Sequence, residues 1–269
     1  MKPVITGELA RAWAGRDPFV EVIRLEGETY RALEGRRTLR FELAGRAYFA
    51  KIHRGIGWRE VAKNLLRLRL PVLGAQREWR AIHRLRELCV ATMTPVAFGQ
   101  RGRNPARRLS FLVTEALEPS VDLETFCARG GLAALGMAER RALIRKLASI
   151  TRTLHANGVN HRDYYLCHFL LDASPTWQSQ PPAARPLHLI DLHRMQMRRR
   201  TPWRWRRKDL ASLCYSARQV GATARDELQF LRVYADTPLR TLLRQGRWRA
   251  VSRRARALQR KGVRKGYHP

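Results

Sequence analysis

A chain of 269 residues with 45% hydrophobic side chains carries enough apolar material for one domain or two closely packed lobes, which excludes a disulfide-stapled peptide and compositional disorder. Lys and Arg number 53 against 22 for Asp and Glu, a formal net charge of +31, so the excess belongs on a folded surface that meets nucleic acid, an anionic membrane, an anionic glycan or an acidic protein. Seven of those cations are Lys and 46 are Arg, a choice that suits bidentate recognition of phosphate and carboxylate or records codon bias.

The opening residues lack the apolar core of a signal peptide, and no apolar run reaches the roughly 20 residues that span a bilayer, so a cytoplasmic protein, free or peripheral on a membrane, is expected. Residues 28–52 alternate apolar and polar positions around Gly35 and Gly45, which predicts a β-meander. Residues 58–69 set Trp58, Val61, Leu65 and Leu68 on one helical stripe ended by Pro71, and a second helix is expected from Gln76 to Leu88, carrying Glu78. "TPVAFG" and "SFLVTEAL" read as two further strands, the second ending near Leu117. Beyond Pro119 the period becomes helical: Leu143, Ile144, Leu147, Ile150 and Leu154 share a face closed by Asn157 and Gly158. "HFLLD" and "LHLID" flank a Pro-rich insert as hairpin strands would, and from 240 onward Trp248, Val251, Ala255 and Leu258 form the stripe of a basic amphipathic helix. The expected division is a sheet-rich 1–117, a mainly helical 118–246 and a basic tail at 247–269. Cys89, Cys127, Cys167 and Cys214 are scattered without a CxxC pair, which predicts buried free thiols.

The most informative string is "HRDYYLCHFLLD" at 161–172, an ordered loop between a capped helix and a strand. A carboxylate there can accept a proton from an alcohol attacking a phosphoryl group, and a side chain five residues on can reach the phosphate-bound metal; these are Asp163 and His168. "LIDLHR" places Asp191 at a strand end, where one carboxylate can ligate Mg²⁺ bridging nucleotide phosphates. Lys51 in "YFAKIH" lies on a strand and Glu78 on the following helix. Taken singly, Lys51 reads as a solvent-facing strand residue and Glu78 as a surface helix charge. Strand Lys, helix Glu, HRD loop and strand-end Asp in that order match the protein-kinase signature set, which implies an α+β, bilobal protein-kinase-like fold. Gly35, Glu115 and Leu117 are then the further nucleotide-binding candidates, on the covering hairpin and at the end of the last sheet strand.

The chain departs from that pattern in places. No G-x-G-x-x-G loop surrounds Gly35, Tyr165 stands where protein kinases carry a Lys beside the base, and "DLH" replaces DFG. His168 replaces the Asn that holds a second metal, so either one metal suffices or His168 contacts phosphate directly.

The strings "EGRRTLRFELAGRAYFAKIHRG", "KNLLRLRLPVLGAQREWRAIHRLREL", "NHRDYYLCHFLL", "IDLHRMQ" and "RWRRKDLASLCYSA", covering most of residues 30–235, resemble the lipopolysaccharide core heptose (I) kinase family. The resemblance implies transfer of the ATP γ-phosphate to the 4-hydroxyl of the first inner-core heptose at the cytoplasmic face of the inner membrane. It assigns Asp163 as base, Asp191 as Mg²⁺ ligand, Lys51 as α/β-phosphate contact with Glu78 its ion-pair partner, and Asp209 as the helix carboxylate bracing the HRD loop. Inner-core lipopolysaccharide is anionic, which fits the Arg excess. Three further expectations concern surfaces: the stripes at 58–69 and 247–260 lie on anionic lipid or pack on a lobe, Trp203 and Trp205 among Arg204, Arg206 and Arg207 stack on sugars or form a packed loop, and an acidic partner protein is possible. The rival readings are a kinase for Kdo, another sugar or a protein, and a non-catalytic kinase-like module binding membrane or nucleic acid. The nucleic-acid reading rests on charge alone and is disfavoured.

Overall fold

The computed structural model describes residues 2–33, 35–55, 57, 74–104, 107–235, 238–244 and 246–264. The stripe expected at 58–69, with Trp58, lies outside the described residues. The chain forms two compact units, Met1–Arg84 with Met93–Glu118, and Leu85–Thr92 with Pro119–Pro269.

The first unit contains β1 (Val4–Ile5), α1 (Gly7–Ala12), α2 (Pro18–Arg24), β2 (Glu28–Leu33), β3 (Arg36–Leu43), β4 (Arg46–His53), most of α3 (Gln76–Glu87), β5 (Pro95–Arg101) and β6 (Leu109–Glu115). The strands make a 6-stranded antiparallel sheet in the order β1-β5-β6-β4-β3-β2. The expected meander is β2–β3–β4. Ala44 (φ 50°) and Gly45 (φ 72°) make the two-residue turn between β3 and β4, with both residues in the left-handed region whose twist matches the flanking strands. Side chains alternate across the sheet. One row, Leu39, Ala50, Val113 and Ala97, faces a core completed by Leu9 on α1, Trp13 just after it, and Phe19 and Val22 on α2. The neighbouring row, Thr38, Lys51, Leu112 and Phe98, faces the other way. There α3 covers the sheet, with Trp79 stacked on Phe98 at 4.9 Å between ring centroids.

The second unit contains β7 (Ser120–Asp122), α4 (Leu123–Ala128), α5 (Gly131–Ala134), α6 (Met137–Ala156), β8 (Val159–Asn160), β9 (Phe169–Asp172), α7 (Pro175–Gln178), β10 (Leu187–Leu189), β11 (Gln196–Met197), α8 (Trp203–Gln219), α9 (Ala224–Tyr234), α10 (Leu239–Arg244) and α11 (Arg247–Val263). The strands pair as β10-β9-β7 and β11-β8, and the expected hairpin is β9–β10, with Leu187 opposite Leu171. Helix α6 ends at Asn157, followed by Gly158 at φ 77°. A Cβ on Gly158 would lie 1.7 Å from the Arg198 carbonyl oxygen, while the Gly158 carbonyl accepts from Arg198 N–H at 2.9 Å. Gly158→Ala therefore adds a left-handed alanine to a backbone clash. It is expected to cost about 2 kcal/mol or more, read as a fall in the thermal midpoint; an unchanged midpoint would contradict this packing.

Several expectations need correction. The apolar stripe of α11 is used inside the protein: Val251 and Ala255 are buried against α8, and Ser252 Oγ accepts from Arg218 Nη2 at 3.0 Å. That face is therefore not available to lie on lipid. The stretch from Trp203 is the first turn of α8, not a loop, because an apolar stripe (Leu210, Leu213, Cys214) runs through the segment and is buried. Arg162, Arg198 and Arg204 approach the Trp205 ring at 5.1, 5.6 and 5.5 Å from its centroid. Arg206 donates to the carbonyl of Thr201 at 3.0 Å, a structural use rather than an open acceptor contact. Of the four free thiols only Cys214 is buried, where burial beside Glu227 pushes its pKa up to about 12; Cys89 and Cys167 are exposed.

Candidate active site

In the first unit the alternation of β4 puts Lys51 on the face covered by α3, and Glu78 is on the first turn of that helix. Lys51 Nζ meets Glu78 Oε1 at 2.5 Å, with the Glu78 side chain 2% and the Lys51 side chain 17% exposed. Neither residue is the exposed charge that its local sequence suggests in isolation. A buried carboxylate is held only against a matched cation, so this pair holds the ammonium at one place on the sheet. Gly35 (φ 72°) sits in the turn between β2 and β3, its carbonyl accepting from Arg54 N–H at 2.8 Å. Glu115 ends β6 with its N–H on the Thr94 carbonyl at 2.9 Å and its carboxylate 3.9 Å from Arg46; Leu117 is half-buried just beyond.

In the second unit the loop 161–168 is fixed from α8. Asp209, 1% exposed, accepts the N–H of His161 at 2.7 Å and of Arg162 at 2.9 Å. Further along α8, Ser216 Oγ accepts the N–H of Leu166 at 3.0 Å. Tyr164 is fully buried, its hydroxyl 3.0 Å from Thr151 Oγ1 on α6. Arg162 (φ 78°) and Asp191 (φ 59°) are two of the few described non-glycine residues with positive φ. Left-handed backbone costs on the order of 1–3 kcal/mol per residue and persists where the surroundings over-determine it; here the Asp209 carboxylate holds Arg162.

His161 Nε2 lies 2.9 Å from the Ile190 carbonyl, linking the loop to the residue before Asp191. Burial pushes the His161 pKa below its ordinary value, against smaller raising effects of Ile190, Asp209 and Asp191. His161 is thus neutral in the fold. Its folded pKa lies below the unfolded value of about 6.5, so this group leaves stability untouched above that pH and removes it as pH falls further, because the unfolded chain binds the proton first. The expected loss is at most about 1.4 kcal/mol per pH unit below 6.5, with a smaller contribution from partly exposed His188, whose pKa burial also lowers. Thermal midpoints at pH 7.5 and 5.5 check this: His161→Gln should flatten the dependence, and an unchanged slope would contradict it.

Asp163 projects from the loop with its side chain 22% exposed. Arg194 Nη1 lies 3.0 and 2.9 Å from its two carboxylate oxygens, and Lys208 Nζ is 3.8 Å from Oδ1. His168 Nδ1 lies 2.6 Å from the Asp163 carbonyl, and its Nε2 is 3.6 Å from Asp191 Oδ2. Because a carbonyl only accepts, the hydrogen bond puts a proton on Nδ1. The other Asp191 oxygen is 2.5 Å from His193 Nδ1. The structure thus brings Asp163, His168 and Asp191 together within the second unit, and pairs Lys51 with Glu78 within the first. The residues not singled out from sequence are Arg194, His193 and Lys208. Lys208 did carry one signal: it precedes Asp209 in "RRKDLASL", a rare Lys inside an Arg run.

A sheet that carries a Lys–Glu pair under a helix, joined in one chain to a helical unit with a braced HRD loop, is the architecture of the protein-kinase-like phosphotransferases. The profile of the Lipopolysaccharide kinase (Kdo/WaaP) family matches residues 20–234. The chain is 54% identical over 246 residues to lipopolysaccharide core heptose(I) kinase WaaP of Pseudomonas aeruginosa, covering 91% of this chain and 90% of that one. It is 50% identical over 236 residues to the WaaP of Escherichia coli, with 88% of each chain covered. A solved structure, WaaP in complex with acyl carrier protein, superposes with a TM-score of 0.81 at 46% identity, covering 96% of this chain and 99% of that one. The chain belongs to the lipopolysaccharide kinase (Kdo/WaaP) family.

Proposed function

We propose that the protein phosphorylates the 4-hydroxyl of the first heptose of the lipopolysaccharide inner core, using ATP, at the cytoplasmic face of the inner membrane. The observation that carries this reading is the HRD loop itself: Asp163 stands on a loop braced by buried Asp209, in a chain about half identical to named heptose(I) kinases over most of its length. Asp163 orients the heptose hydroxyl and takes its proton as the oxygen attacks phosphorus. Lys51, held by Glu78, contacts the nucleotide phosphates, and Gly35, Glu115 and Leu117 are the further nucleotide contacts. His168, its Nδ1 hydrogen-bonded to the Asp163 carbonyl, directs Nε2 toward Asp191.

Mg²⁺ fits the donor set. Among the described residues no three His, Cys, Asp or Glu side chains converge into a metal cage, and Asp191 offers a carboxylate at a strand end. One or two carboxylates plus substrate phosphates is the ordinary coordination of Mg²⁺ in phosphoryl transfer, so Asp191 would hold an ion that arrives with the nucleotide. Bound there, Mg²⁺ would supply positive charge to the nucleotide phosphates.

The net charge of +31 suits an anionic glycolipid acceptor and a peripheral membrane location; no described helix is long and apolar enough to cross a membrane. A protein partner belongs to the proposal as well, since a relative was solved in complex with acyl carrier protein. An acceptor panel tests the reading: incorporation is expected into core glycolipid that carries heptose and lacks core phosphate, and not into a glycolipid ending at Kdo. Transfer to the Kdo-terminated acceptor would move the assignment to another sugar.

A further inference from the structure

Phosphoryl transfer needs positive charge on the oxygens of the migrating group, placed beside the carboxylate that takes the hydroxyl proton. The loop does not supply that charge two residues beyond Asp163. Tyr165 occupies the position, its ring 6.3 Å from His168 and 6.4 Å from Tyr215 between centroids. The cations that reach Asp163 come from other elements. Arg194 spans both carboxylate oxygens at 3.0 and 2.9 Å, which makes it the ion-pair partner of Asp163.

Lys208 is placed differently. Its ammonium donates to the Arg162 carbonyl and stands 3.8 Å from Asp163 Oδ1, beyond hydrogen-bond length. Its side chain is 23% exposed. Burial lowers its pKa, with Asp163 opposing and Arg194 adding to the shift. An ammonium has three N–H donors, so beyond the bond to Arg162 two remain to be directed. Its position is fixed as well: the next residue, Asp209, binds the N–H groups of His161 and Arg162. One turn of α8 therefore both braces the loop and presents a cation beside its carboxylate. In a chain with 46 arginines this position holds one of only seven lysines, and a compact point charge suits a tetrahedral phosphoryl group shared with a carboxylate.

We propose that Lys208 is a catalytic residue that contacts the transferring phosphoryl group, delivered from helix α8 in place of a cation on the loop. This rests on the reading of Asp163 as the base. In the step itself the heptose oxygen bonds to the γ-phosphorus, the bond from that phosphorus to the bridging oxygen breaks, and ADP leaves with the electron pair. The hydroxyl proton passes to Asp163. Lys208 gives up no proton and contributes charge and hydrogen bonds only.

The test uses the full chain with three substitutions. Lys208→Gln keeps a donor for the Arg162 carbonyl and removes the charge, Lys208→Met removes both, and Lys208→Arg keeps the charge. Turnover with Mg-ATP and core glycolipid lacking phosphate is expected to fall about 10²- to 10³-fold in the Gln and Met variants, with both KM values changed less than about threefold, and to recover at least tenfold in Arg relative to Gln. Calorimetry provides a reading independent of turnover: wild type should prefer a non-hydrolysable ATP analogue over ADP by more than the Gln variant does, by about tenfold. If Lys208 only braces the loop, the Gln variant keeps near-wild-type turnover and nucleotide preference, which overturns the proposal. Inactivity of the wild type would count against the heptose kinase reading instead, and the nucleotide preference would still decide the role of Lys208.

Discussion

Asp163→Asn is expected to lower turnover by about 10³-fold while the protein stays folded. The amide matches the carboxylate in size but cannot take the acceptor proton, and positioned general bases contribute roughly 10² to 10⁴ in rate. The structural cost is small because the partner, Arg194, has a side chain 40% exposed and regains water when the ion pair is lost. Turnover and thermal midpoint measured on the same preparation separate the two effects. A variant that retains more than a tenth of wild-type turnover would remove Asp163 from the chemistry.

The second large effect is structural. Asp209→Ala leaves the N–H groups of His161 and Arg162 without their acceptor inside the protein, and removes the carboxylate 3.5 Å from His155 Nε2. Hydrogen bonds to a charged group contribute about 1.5–3 kcal/mol each, and buried donors left unpaired cost more than the bond was worth. The expected loss is about 3–5 kcal/mol, or roughly 10 °C or more in thermal midpoint, together with most of the activity, because Arg162 can leave its left-handed conformation. Asp209→Asn should recover part of both, since its single carbonyl oxygen can serve one of the two donors. A fall under about 1 kcal/mol for the alanine variant would show that the loop holds its shape without α8.

Much of this was legible in the sequence because the patterns are local. Alternation and two turn glycines identify β2–β3–β4, and the same alternation puts Lys51 opposite the core face. The 3.6-residue period, Asn157 and Gly158 mark α6 and its end. Asp163, Asp191 and Asp209 are found by chain order and neighbouring letters. Other features depend on what lies far away in the chain. An apolar stripe on α11 announces a face to be covered but does not say by what, and Val251 and Ala255 are covered by α8. Arg194 and Lys208 are two among 53 cations, and no local spacing separates a cation on a carboxylate from one in water. The same excess of charge disguised the start of α8 at Trp203, because the charged first turn hides the apolar stripe behind it.

The central claim is that Asp163 directs phosphate onto one heptose hydroxyl. The most direct measurement incubates the full-length protein with Mg-ATP and purified lipopolysaccharide lacking core phosphate, then locates the new phosphate by mass spectrometry and NMR, with Asp163→Asn as the blank. The account predicts one phosphate on the 4-hydroxyl of the first heptose with the wild type, and none with the variant. Phosphate on Kdo, or equal incorporation by the Asp163 variant, would contradict it.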